Sequence, residues 1–267
     1  MKKNSKDETR RKALQAKSQK VKLTMGIDLG DEWSQCCCLG EIGEVIEEFR
    51  VKTTREALSA RFKELKPMVI ALEVGTHSRW VSQLLQEFGH EVIVANSREL
   101  RAITGSDRKS DRVDAEKLAR YARVDRRILR PIRHRGEGAQ VDLLVLRARA
   151  VLVKTRTQLV NAVRGMVKSF GYRLPACKAE RFAGLKEKVP AALQQALNPL
   201  MEALEQVQQQ IDSYEEQIEK LATEKYAESE LLRQPWGVGP ITSVSYLLTI
   251  EDKNRFEKSR DVGCYLG

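Results

Sequence analysis

Between residues 23 and 124 the apolar positions change period repeatedly, from short runs to helical spacing and back. "KLTMGIDLG" reads as a strand ending in a glycine turn; "WSQCCCLG" and "EVIEEFRV" read as two more strands joined by the hairpin "GEIG". "TREALSARFKEL" sets Ala57, Leu58, Phe62 and Leu65 at helical spacing. "KPMVIALEVG" is a continuous apolar run, the mark of a buried strand, with an acid near its end. The helix "SRWVSQLLQEFG" and the strand "HEVIVAN" follow. Tight hairpins followed by helix–strand crossovers predict a mixed α/β sheet with helices packed against it.

Beyond residue 135 the pattern is helical. A long basic helix spans Gly138 to about Phe170, studded with Arg147, Arg149, Lys154, Arg156, Arg164 and Lys168. "YRLPACKAERFAGLKEKVP" reads as a connecting loop with a short turn or two. Leu193, Leu197, Leu200, Leu204, Val207, Ile211, Tyr214, Ile218 and Leu221 then form a sustained heptad seam, with Pro199 expected to end a first turn or kink it. The seam needs a partner, and an antiparallel hairpin that also assembles into a homo-oligomer, a dimer or tetramer, is the expectation. "GVGP" reads as the glycine turn of a helix-hairpin-helix, where Gly237 and Gly239 let backbone amides approach a phosphate. The expected organisation is a basic flexible tail over 1–22, a sheet domain over 23–135, a helical coiled-coil region over 136–232, and the beginning of a further, truncated domain over 233–267.

The formal net charge of +10 favours a polyanionic partner such as nucleic acid. No apolar run is long enough to span a bilayer, and the charged N-terminus has no apolar segment after it, so neither membrane insertion nor secretion is expected. Cys36, Cys37 and Cys38 alternate faces if they lie on a strand, so they cannot share one tetrahedral zinc site; with Cys177 and Cys264 they read as buried thiols of a reducing cytoplasm. His77, His90 and His134 are scattered, and Trp33, Trp80 and Trp236 read as packing anchors rather than base-stacking platforms.

The candidate chemistry is acidic. Asp28 closes the first strand, Glu73 closes the strand after the first helix, and Asp111 and Asp114 open a helix, where an i, i+3 pair shares a face about 5–6 Å apart. Alone, such a pair is the ordinary acid decoration of a helix N-terminus. Ordered strand-Asp, strand-Glu, helix-Asp-x-x-Asp, the four suit hard divalent cations, and can hold two magnesium ions about 3.5–4 Å apart for phosphodiester chemistry. Arg108, Lys109, Arg112 and Lys117 would then hold a polyanion against the acidic centre.

"MGIDLG", "IALEVGTH", "VANSRELRAITGSDRKSDRVDAEKLARYA" and "WGVGPITSVSYLLTIEDKNRFEKSRDVGCYLG" together resemble the DEDD-type transposases of bacterial insertion sequences, a group that also contains site-specific invertases. The resemblance runs from Leu23 to Gly267. It implies a ribonuclease-H-like, RuvC-type mixed sheet with helices on both faces, followed by a helical coiled-coil hairpin and the start of a helical C-terminal domain. It also implies that Asp28, Glu73, Asp111 and Asp114 bind magnesium, that DNA is the substrate, and that a structured guide RNA is a partner in the bacterial cytoplasm at the nucleoid. The family's nucleophilic serine follows the "YLG" segment, so none is expected in this chain; Ser243, Ser245 and Ser259 lie upstream of that place. "GIDLG" also resembles the first phosphate turn of actin-like and sugar-kinase ATPases, but their second Asp-x-Gly turn and adenosine motif are missing. A third reading is a nucleic-acid-binding fragment that assembles without recombining.

Overall fold

The computed structural model describes residues 23–96 and 110–266, so Arg108 and Lys109 lie outside the described residues. The chain divides into two compact units, one ending at His134 and one beginning at Arg135.

The first unit is built on a five-stranded sheet of β1 (Thr24–Asp28), β2 (Trp33–Leu39), β3 (Val45–Lys52), β4 (Val69–Glu73) and β5 (Glu91–Ala95), in the order β3-β2-β1-β4-β5. β1 and β2, and β2 and β3, pair antiparallel, whereas β1, β4 and β5 run parallel. This order and these directions are those of the ribonuclease-H-like fold. Gly40 and Gly43 close the β2–β3 hairpin, and Gly43 takes φ +87°, a conformation that glycine adopts without a steric penalty.

Helices cover both faces, as the strand alternation demands. Met25, Ile27, Cys36, Cys38, Ile70 and Leu72 point to one face, where α1 (Arg55–Phe62) brings Leu58 and Phe62 and α2 (Ser78–Glu87) brings Val81, Leu84 and Leu85. Phe62 is fully buried there, so truncating it to alanine should cost about 3–5 kcal/mol. Residues of opposite parity face α3 (Asp111–Val124): Val69, Ala71 and Ile93 meet Leu118 and Ala122, and Cys37 and Leu39 meet Ala115 and Ala119. α3 sits unusually low on the sheet. A Cβ at Gly26 would stand 1.9 Å from the Ala115 carbonyl oxygen and 2.6 Å from the Ala119 nitrogen, so only glycine permits this docking.

The second unit pairs α4 (Glu137–Ser169) with α5 (Ala191–Lys220). Val160, Val163 and Val167 near the end of α4 pack on Leu193, Leu197 and Met201 near the start of α5, while Leu146 near the start of α4 packs with Ile218 near the end of α5. The two helices are therefore antiparallel. α5 runs across Pro199 as one helix, so the proline does not end it. The segment between them is not loose: a ten-residue 3-10 helix, Ala179–Lys188, inserts the fully buried Phe182 between the helices. α6 (Ser229–Leu232) and α7 (Pro240–Ile250) flank the "GVGP" turn, and α8 (Ser259–Leu266) follows.

Two packing expectations are corrected. Trp33 and Trp236 are not anchors, being 40% and 102% exposed; Trp80 does pack at the edge of the sheet core. Cys36, Cys37 and Cys38 are buried, but Cys177 and Cys264 are exposed. The triple-cysteine run is explained by the register: its thiols alternate between the two hydrophobic faces, and burial pushes all three up from the usual thiol range.

Candidate active site

Asp28 and Glu73 belong to the parity that faces α3. The β1–β4 register pairs Gly26 with Ala71 and Ile27 with Leu72, so the next step sets Asp28 beside Glu73 at the C-terminal ends of parallel strands. α3 opens above that end. Ser110 caps it, accepting from the Val113 backbone N–H at 3.4 Å, and Asp111 and Asp114 occupy the first turn. Ala115 lies over Gly26, so the turn preceding it projects toward Asp28, two residues further along β1. The glycine of "GID" thus lets the helix that carries Asp111 and Asp114 sit close against β1.

The electrostatics register this convergence. The Asp28 carboxyl is pushed up from 3.8 to about 6, first by burial, then by the charges of Asp111, Asp114 and Glu73 in that order. All three other acids act on Asp28, although they come from segments far apart in the chain. The helix N-terminus offers Asp111 and Asp114 some dipolar compensation. Lys117 approaches Asp114 at 3.6 Å, one turn along the helix. Among the described residues, no ion pair or side-chain hydrogen bond reaches Asp28, Glu73 or Asp111.

The cluster is open rather than closed: among the described residues, no three acidic, histidine or cysteine side chains are gathered tightly enough to form a finished metal cage. Its donor chemistry nevertheless fits a hard cation. The four groups are all carboxylates, and repulsion at Asp28, with no cation paired to three of the four among the described residues, is the condition a divalent ion relieves.

Of the basic residues expected to hold a polyanion, Arg112 is engaged elsewhere. Its Nε donates to Glu48 Oε1 at 2.7 Å, and a second nitrogen contacts the same carboxylate. Glu48 holds the guanidinium above its usual value, so Arg112 clamps α3 to β3. Gly237 is exposed with φ +89°, and Gly239 caps α7; a Cβ at either would meet open space, so neither glycine is required by local packing. Ser243 is buried and its hydroxyl lies 2.6 Å from that of Ser229, a tie between α6 and α7 that leaves it no room as a nucleophile.

Residues 25–171, more than half of the chain, match the DEDD transposase family of the IS110 type. The chain belongs to this transposase family. A Sinorhizobium fredii protein named as a transposase, y4pF/y4sB, is 30% identical over 82% of this chain and 57% of its own length. The transposase for insertion sequence element IS1111A of Coxiella burnetii is 26% identical over 91% of this chain and 67% of its own. The chain thus spans about three-fifths of the curated relatives it matches. A solved structure, the Thermus thermophilus RuvC, aligns with 38% of this chain and 95% of its own at 19% identity and a TM-score of 0.29. Among the described residues, no helix is long and apolar enough to cross a membrane.

Sequence reasoning had no access to the Arg112–Glu48 clamp, whose partners are 64 residues apart. It also passed over the exposed cations beside Trp33, although Trp33 opening β2 and Lys52 closing β3 are what a hairpin register would place side by side.

Proposed function

We propose that this transposase-family chain acts on DNA phosphodiesters, with Asp28, Glu73, Asp111 and Asp114 holding divalent magnesium. The observation that supports this most directly is the raised Asp28 carboxyl, pressed by burial and by three acids from other segments. A bound divalent ion would supply charge stabilisation to a phosphoryl oxygen and lower the proton affinity of an attacking oxygen. The protein's own part is positional. Asp28 and Glu73 ride on parallel strands of a rigid sheet, and Asp111 and Asp114 ride on a helix seated against Gly26 and clamped by Arg112 to Glu48. Strand-borne ligands are held more firmly than loop-borne ones.

Within the same reading, the nucleophilic serine, the guide RNA and assembly through the antiparallel helices are functions of the whole transposase, to which this chain contributes the acidic site. Arg108, Lys109 and Lys117, together with the amides at Gly237 and Gly239, would steady the phosphate backbone. The test is strand cleavage of element-end DNA by a full-length protein carrying this sequence. Asp114→Asn should abolish magnesium-dependent cleavage while DNA binding persists. Cleavage retained by Asp114→Asn would refute the assignment. Saturable ATP binding unaffected by the same change would favour the kinase-like alternative instead.

A further inference from the structure

The sheet register carries the site further than its acids. On the α3 face, β1, β2 and β3 align Asp28 with Gln35 and Gln35 with Arg50, and the outward row pairs Trp33 with Lys52. These residues share a face because paired positions point the same way, as the Glu48–Arg112 clamp on that face confirms. Trp33 lies one strand across and two residues along from Asp28, roughly 8 Å by backbone spacing. Among the described residues, α3 packs on β1, β2 and β4. Trp33 is 40% exposed, with the Arg50 guanidinium 5.2 Å and the Lys52 ammonium 5.7 Å from its ring centroid. Among the described residues, neither cation makes an ion pair with an acid, although β3 also bears Glu47 and Glu48, both paired to arginines.

We propose that Trp33, Arg50 and Lys52 form a stacking platform for an unpaired nucleobase of a single nucleic-acid strand, beside the acidic cluster. The proposal rests on the reading of that cluster as a phosphodiester site. A part-exposed indole flanked by two cations that have no acidic partner among the described residues meets the requirements of single-strand binding: a π-face for a base, and positive charge for the phosphates either side of it. The platform sits roughly 8 Å from Asp28 by the strand spacing, close enough for one strand to span both. A strand whose backbone crosses Asp28 and Glu73 therefore presents a neighbouring base to Trp33. The cations also answer an electrostatic need, because four carboxylates repel a phosphate chain unless positive charge stands close by.

The test measures fluorescence anisotropy of a labelled single-stranded DNA oligonucleotide with the full chain in EDTA, so that no metal ion contributes. Trp33→Ala should weaken binding by about 5- to 100-fold, and Trp33→Phe should stay within about threefold of the unaltered chain. The double variant Arg50→Gln, Lys52→Gln should reduce the slope of log affinity against log salt by about 1.4. A blunt duplex, whose bases are already stacked, should show little response to Trp33→Ala. Thermal melts matching the unaltered chain's would establish that the variants fold. Unchanged single-strand binding by Trp33→Ala, or equal loss on single strand and duplex, would overturn the platform. Because the assay excludes metal, its failure leaves the acidic site standing, while failure of metal binding in separate titrations would refute that site without touching these affinities.

Discussion

Two buried or half-buried carboxylates in this chain have opposite surroundings. Asp142, within α4, is almost inaccessible, and the protein neutralises it: the Tyr226 hydroxyl donates to Oδ2 at 2.5 Å and the Lys225 ammonium lies 2.6 Å from the same oxygen. Burial, and after it the shared bond, push Tyr226 up from its usual range. Among the described residues Asp28 has no such partner, and three more acids act on it. A fold compensates the charges it uses for its own stability. At Asp28, by contrast, burial and three further acids press on a single carboxyl at the end of a strand.

The contrast can be broken first at Asp142. Asp142→Ala should destabilise the protein by about 3 kcal/mol, because it leaves Lys225 and Tyr226 without their partner, whereas Asp28→Asn should raise stability by about 1 kcal/mol in the absence of metal ions by removing a repelled charge. Chemical denaturation of the two variants would check both signs. Next, Glu73→Gln and Asp114→Asn should each lower manganese or magnesium affinity by more than about 100-fold in calorimetric titrations, exceeding the loss usual for residues that merely orient a ligand. Gly26→Val should cost about 1–3 kcal/mol by forcing α3 off the sheet, and should weaken metal binding although the residue carries no ligand atom.

The smallest effect is a pH dependence with a defined sign. Because Asp28 rises from 3.8 to about 6 in the folded protein, the folded state holds the extra proton between those values. Stability should therefore fall as pH rises from about 4 to 6 and level off above, by on the order of 1 kcal/mol after solvent screening. The slope should vanish in Asp28→Asn.

Much of this arrangement was legible in the sequence, for identifiable reasons. Each strand was bounded by glycine or charge, and the change from continuous apolar runs to helical spacing marked the crossovers that make β1, β4 and β5 parallel. Asp28 and Glu73 stood out because an acid at the end of an apolar run is costly unless something compensates it. What escaped depends on pairing across distance. Nothing near Arg112 reveals Glu48, nothing near Asp142 reveals Tyr226, and the need for Gly26 is seen only when α3 is placed above it. Trp33 was misjudged because indoles are usually buried, whereas its position on β2 beside the edge strand leaves it open.

The most direct measurement is thermal unfolding at neutral pH with and without millimolar manganese, on the unaltered chain and on Asp28→Asn. The ion should raise the midpoint of the unaltered chain by several degrees and leave Asp28→Asn, already the more stable of the two without metal, essentially unmoved. Equal shifts in both proteins, or none in either, would contradict the claim that the four acids await a divalent cation.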